Sequence, residues 1–332
     1  MNHLKGDEST GLAVAVLLAL TCGSFCFFAW LGGLGRSPGP SLLTLYWRWL
    51  RGLFDGSTLH VFSQPTFTRN FTLQGVTMLQ ALGHTVVLLA YALVFVVVFS
   101  IGLALLAASR RGSGLDVGAR TLAYVGWAIP GFLLALLVQL LVNAIGGPRG
   151  FGPFPLAGWP GSCPAGIGVN SGHLTPCPGA GSGIRYVLNI LRYATLPALT
   201  LAAAFVGVHA RYLRSTLLET LARPFVTTAR AKGVTERRVL VRHAMRASLA
   251  TFVGALFSDF GAMLGGALAV DWVFQFNGLG TVFISLFPID VGTVDPYLLV
   301  PVLFLTALLV IAASTLGDLA TYRLDPRVRR RE

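Results

Sequence analysis

The chain has 332 residues, of which 54% are hydrophobic and only 11% charged, and its formal net charge is +12. Soluble domains carry about 25% charged residues, so this chain has too few to coat a soluble surface. That excludes a soluble enzyme, a nucleic-acid-binding domain and a disordered tail, and it leaves a polytopic membrane protein whose basic excess belongs to cytoplasmic loops.

Six apolar stretches stand out, at 11–34, 84–108, 121–145, 194–210, 249–270 and 297–317, against the roughly 20 residues that span a bilayer. The first could be read as a lipoprotein signal with Cys22 as the modified residue. However, the apolar run continues past Cys22, Thr21 is a poor residue to precede a lipidated cysteine, and a signal core is shorter. The stretch is therefore read as a retained membrane helix, with Cys22 and Cys26 as packing residues one turn apart.

Residues 35–83 follow, with Tyr46, Trp47, Arg48, Trp49 and Arg51 in a helical pattern. Aromatic and basic residues beside a membrane helix favour the interface, which predicts an interfacial helix. After the next two spans, residues 146–185 hold 12 Gly and 7 Pro, a composition that excludes regular structure. Within it Cys163 and Cys177 are expected to face an oxidising compartment and to form a disulfide. The fourth stretch is the weakest, because Pro197 interrupts it; neighbouring helices can satisfy the carbonyl that a membrane proline frees.

The connections set the topology. Residues 1–10, 109–120, 211–248 and 318–332 carry 18 of the 25 Lys and Arg, and the alternate set carries 7. The positive-inside rule then places both termini and the 211–248 loop in the cytoplasm, which agrees with an even number of spans.

The 211–248 loop is the most informative part of the chain. Pro224 suits the first turn of a short helix. Gly233 suits its left-handed cap, with Lys232 beside the negative end of the helix dipole. Thr235 is an acceptable N-cap for the helix that follows. Such an element can lie along the membrane surface and present one face to a partner. In the fifth stretch Asp259 is a carboxylate at membrane depth, among Gly254, Gly261, Gly265 and Gly266. It should avoid lipid, because a charge there is costly, and small residues allow close helix packing. Two roles remain open for it, lining a pathway or pairing with a second subunit.

Thr228-Ala-Arg-Ala-Lys-Gly-Val234 followed by His243-Ala-Met-Arg246 resembles the coupling-loop signature of ABC-importer permeases of the dipeptide, oligopeptide and nickel type. Further matches keep the family order. They are His84-Thr85-Val86, Asp116 through Ile129-Pro130, Leu196 to Leu201, Val273-Phe, Gly278-Leu-Gly280, Asp318, and Leu324-Asp-Pro-Arg-Val328. Departures are Asp271 where the family usually has Glu, Asn277 where it has Pro, Arg246-Ala-Ser248 for Arg-Asn-Ala, and a longer Gly/Pro-rich outer loop.

The resemblance implies an all-α integral membrane protein with six transmembrane helices, cytoplasmic termini and the type I importer permease fold, in a prokaryotic inner membrane. The organisation expected is an N-terminal unit at 1–83, a permease core at 84–317 with outer loop 146–192 and coupling loop 211–248, and a basic tail at 318–332. The implied partners are a second homologous permease, two ATPase domains or subunits, an extracytoplasmic substrate-binding protein and the lipid membrane, with no nucleic acid. ATP and Mg would bind on the ATPases and no cofactor or metal on this chain, which has no Gly-x-x-x-x-Gly-Lys phosphate cradle and no recognisable catalytic motif. Glu219, Phe225, Thr228, Ala229, Arg230, Ala231, Lys232 and Gly233 are the residues expected to couple to the ATPases. Di- or oligopeptides are the expected cargo, with nickel or another small solute as the alternative within the family. From another class, an ion-coupled carrier or channel finds support in Asp259 alone and lacks the expected internal repeat.

Overall fold

The computed structural model describes residues 42–55, 76–109, 128–146, 154–160, 181–286 and 296–324, together with Gly114, Val117, Gly118, Thr121 and Gly126. The first apolar stretch and all four cysteines, Cys22, Cys26, Cys163 and Cys177, lie outside the described residues. Every regular element among the described residues is a helix: α1 Leu42–Asp55, α2 Met78–Ser109, α3 Gly131–Gly146, α4 Ile184–Leu221, α5 Pro224–Ala231, α6 Glu236–Ser258, α7 Phe260–Phe274, α8 Leu279–Ser285 and α9 Pro296–Leu324. Helices α2, α4, α6 and α9 are long and apolar enough to cross a membrane, and α7 with α8 makes a fifth candidate span bent by 75°. In α1, Trp47, Arg48 and Arg51 are exposed while Tyr46 and Gly52 are buried.

Cross-helix contacts fix the helix directions. Tyr91 of α2 meets Thr195 of α4 at 3.4 Å, and the Ser100 hydroxyl donates to the Val206 carbonyl at 3.1 Å, so α2 and α4 run parallel. Thr220 of α4 bonds Ser248 of α6, and His209 faces Asp259, so the α6–α7 path runs antiparallel to α4. Gly254 sits against Thr321 and Gly261 against Val310, which makes α9 antiparallel to that path in turn. Ser109, Leu221, Glu236 and Leu324 therefore meet at one end of the bundle, the end that carries the two most basic segments, 211–248 and 318–332.

Among the described residues, apolar clusters stack along the bundle, and Val96, Ala202 and Leu256 form a small one. One end holds Met78, Ala81, Leu279, Val282, Leu299 and Val302. The middle packs Leu88 and Ala92 of α2 against Ala198 and Leu201 of α4 and Leu264, Ala267 and Val270 of α7. The basic end packs Ala104 and Ala108 against Leu213, Leu217, Val226, Val239 and Phe252. Alanines at the α2–α4 contact let the backbones approach closely, the usual device where lipid supplies no hydrophobic drive. Outward faces stay apolar, for example Leu133, Leu137, Leu140 and Leu141 on α3 and Val94, Val98 and Leu106 on α2.

Several boundaries differ from the sequence expectation. Helix α4 has 38 residues, roughly 57 Å at 1.5 Å per residue, far more than a bilayer core of about 30 Å. It passes through Pro197 without ending. It begins at Ile184, inside the stretch assigned to the outer loop, and ends at Leu221, inside the coupling loop. Leu213, Leu217 and Leu221 are buried along its last turns, so packing carries the helix on after hydropathy stops marking it. The fifth stretch is divided between α6 and α7 at Asp259, and α9 continues to Leu324, into the segment read as tail.

Candidate functional site

The turn between α4 and α6 forms as its local chemistry dictates. Arg223 is extended (φ −76°, ψ 147°) and Pro224 opens α5, where its missing N–H leaves nothing unpaired. Gly233 takes φ +76°. The Val234 N–H donates to the Ala229 carbonyl at 3.2 Å and the Gly233 N–H to the Arg230 carbonyl at 2.9 Å, the two bonds of a Schellman cap. Thr235 is extended ahead of α6, although its side chain makes no capping bond. After the first α-helical turn of α6, Val239–Ala244 is wound as π-helix.

Helix α5 has two faces. Val226 and Ala229 are buried in the cluster that also holds Leu217 of α4 and Val239 and Ala244 of α6. Ala229 therefore points into its own chain and is not part of an outward docking face. Phe225 is 40% exposed, and Thr228, Ala231 and Lys232 are exposed with it. Arg230 is exposed but engaged within the chain. Its guanidinium donates to both carboxylate oxygens of Glu236, at 2.7 and 3.2 Å, across the Gly233 turn. Glu219 is exposed near the end of α4, next to the buried Thr220–Ser248 hydrogen bond. The inward face thus joins α5 to both long helices, and the outward face offers one aromatic ring among short side chains.

Asp259 lies at the α6–α7 junction, where helical hydrogen bonds continue from its N–H to Ala255 O and from Met263 N–H to its own carbonyl. Its side chain is 49% exposed, and Oδ2 is 3.7 Å from Nε2 of His209, which is 2% exposed. His209 was not legible as a site residue. A lone histidine in an apolar stretch was the only signal, and Asp259 is 50 positions away.

A second buried constellation closes the opposite end. Asp271, fully buried, turns its carboxylate back onto the start of α8. Oδ1 accepts from Gly278 N–H at 2.9 Å and Oδ2 from Thr281 N–H at 2.8 Å, with the Thr281 hydroxyl 3.2 Å from Oδ1. Thr85 of α2 accepts from Leu279 N–H at 2.8 Å, and His84 donates to the Asn277 carbonyl at 2.9 Å while stacking on Trp159 at 3.7 Å. A side chain at Gly278 would meet Thr85 Oγ1 at 2.6 Å, and one at Gly280 would collide with the Leu268 backbone. The Gly278-Leu-Gly280 motif is therefore a close-approach motif, and Asp271 satisfies the α8 N-terminus internally. An acid inside an apolar run a few residues before Gly-x-Gly-Thr was the available signal for this role.

Comparison with known proteins follows the same outline. Residues 100–330 match the family model of the binding-protein-dependent transport system inner membrane component. A putative peptide permease of Brucella suis is 32% identical over 284 residues, covering 86% of this chain and 79% of its own length. The oligopeptide transport permease AppB of Bacillus subtilis is 25% identical, covering 85% and 79%. The glutathione transport permease GsiC of Salmonella choleraesuis is 30% identical over 58% of this chain and 52% of its own length. Among solved structures, the inward-facing MetNI methionine ABC transporter superposes with a TM-score of 0.55 at 15% identity, over 75% of this chain and 96% of its own.

Proposed function

The chain belongs to the family of binding-protein-dependent transport inner membrane components, and from that premise we propose that it forms half of the translocation pathway of an ATP-driven importer of di- or oligopeptides. It is a multi-pass membrane permease subunit. A second homologous permease completes the pathway, an extracytoplasmic binding protein delivers the cargo, and two ATPase domains that bind ATP and Mg drive the cycle. This chain supplies no catalytic group. Both termini are cytoplasmic in this reading, with the first apolar stretch as the sixth span.

The observation that carries the reading is the seat of α5. Val226 and Ala229 fasten it to α4 and α6, and Phe225, Thr228 and Ala231 face outward. A displacement of α5 by an ATPase is passed directly to the two helices that extend beyond the bilayer. The relatives named for peptide, oligopeptide and glutathione transport support the cargo class.

The test is uptake by the complete complex in proteoliposomes. Phe225→Asp is expected to abolish ATP-dependent uptake while the chain still assembles, because a charge replaces the ring on the docking face. Parent-like uptake by that variant would remove α5 from the coupling path. Mass spectrometry of ligands carried by the binding protein checks the cargo, and finding a metal chelate with no peptide would move it to another solute class.

A further inference from the structure

We propose that Asp259 is a cation-recognition point of the translocation pathway, taking ammonium groups of the substrate as they pass, with His209 as its positioning residue. This deepens the reading of the chain as a peptide permease, since peptides present such groups at their N-terminus and on lysine.

The geometry around the pair supports this role. His209 Nδ1 lies 3.0 Å from the Phe205 carbonyl. A carbonyl can only accept, so Nδ1 carries the ring proton. Nε2 is the other ring nitrogen. It is buried, has no hydrogen-bond partner among the described residues, and points at the Asp259 carboxylate 3.7 Å away. Phe252 packs edge-on against the ring, with centroids 6.2 Å apart, and fixes its orientation. At 3.7 Å the imidazole makes no hydrogen bond to the carboxylate, which stays half exposed beside it.

The surface around Asp259 carries short side chains. Along the α6–α7 path the exposed neighbours are Thr251, Ser258, Gly261, Ala262 and Gly265, short side chains with two hydroxyls among them. Hydrocarbon is a poor neighbour for that carboxylate. A group with several N–H donors satisfies it.

Two measurements on the complete complex test this. In the first, Asp259→Cys is treated with membrane-impermeant methanethiosulfonates, with the parent as the labelling baseline. Modification above baseline in at least one nucleotide state is expected of a pathway residue. No modification in any state would mean a position sealed against the second permease or lipid, and would overturn the proposal. The second measurement is the ratio of uptake of a lysine-containing peptide to uptake of its acetyl-lysine counterpart. Asp259→Asn and His209→Leu are expected to lower that ratio about fivefold, the scale of a partly exposed ion contact, while Asp259→Glu and His209→Gln restore it. A parent that takes up neither peptide would overturn the peptide reading and this inference with it. Parent uptake with an unchanged ratio in Asp259→Asn would overturn this inference alone.

Discussion

Replacing Gly233 with valine perturbs the coupling turn through the backbone alone. A Cβ at Gly233 would meet nothing within 4 Å, so steric collision contributes nothing. The residue stands at φ +76°, where a non-glycine residue costs roughly 1–3 kcal/mol and a β-branched one belongs at the upper end. An energy of that size shifts a local equilibrium by about 5- to 150-fold. Packing of Val234 and the two cap hydrogen bonds resists the shift, so the strain is expected to reseat α5 relative to α6 rather than unfold the chain. Gly233→Asn is the control, because asparagine visits the left-handed region routinely. The assay compares uptake with ATP hydrolysis, with and without the binding protein. The expected result for Gly233→Val is uptake reduced at least fivefold per ATP hydrolysed, with Gly233→Asn close to the parent. If valine behaved like the parent, or asparagine were as damaging as valine, a left-handed cap would not be what holds the coupling helix.

Two further outcomes follow from the geometry. Asp271→Asn places an amide NH₂ where one oxygen now accepts from a backbone N–H of the α8 start; a buried donor left unsatisfied costs about 1–3 kcal/mol. A lower melting temperature of the detergent-solubilised complex is expected, and an unchanged one would mean that the carboxylate does not anchor the bent pair. Arg230→Ala removes an exposed ion pair with Glu236, so uptake is expected to stay within about fivefold of the parent. Complete loss would show that Arg230 reaches the ATPase itself.

One-dimensional signals determined a good deal of this protein. Apolar runs marked the bodies of α2 and α9, though not the start of α2 or the end of α9, because lipid selects composition directly. The grouping of Lys and Arg placed connections 109–120, 211–248 and 318–332 on one side, and the helix directions bring Ser109, Leu221, Glu236 and Leu324 to one end. Pro224 and Gly233 announced the bounds of α5, because helix entry and left-handed exit are properties of single residues. The tertiary structure alone decided what depends on distant partners. Helix α4 continues beyond the bilayer because Leu213, Leu217 and Leu221 find α2 and α6 to pack on, which hydropathy cannot register. Ala229, read as a docking residue, turns inward for the same reason. Asp259 acquired a neighbour on another helix, and Asp271 acquired its role only when the chain bent by 75° and brought α8 back to Thr85, 194 positions from Leu279. A carboxylate reads the same in any apolar run; what it bonds to is set by which helices the packing brings beside it.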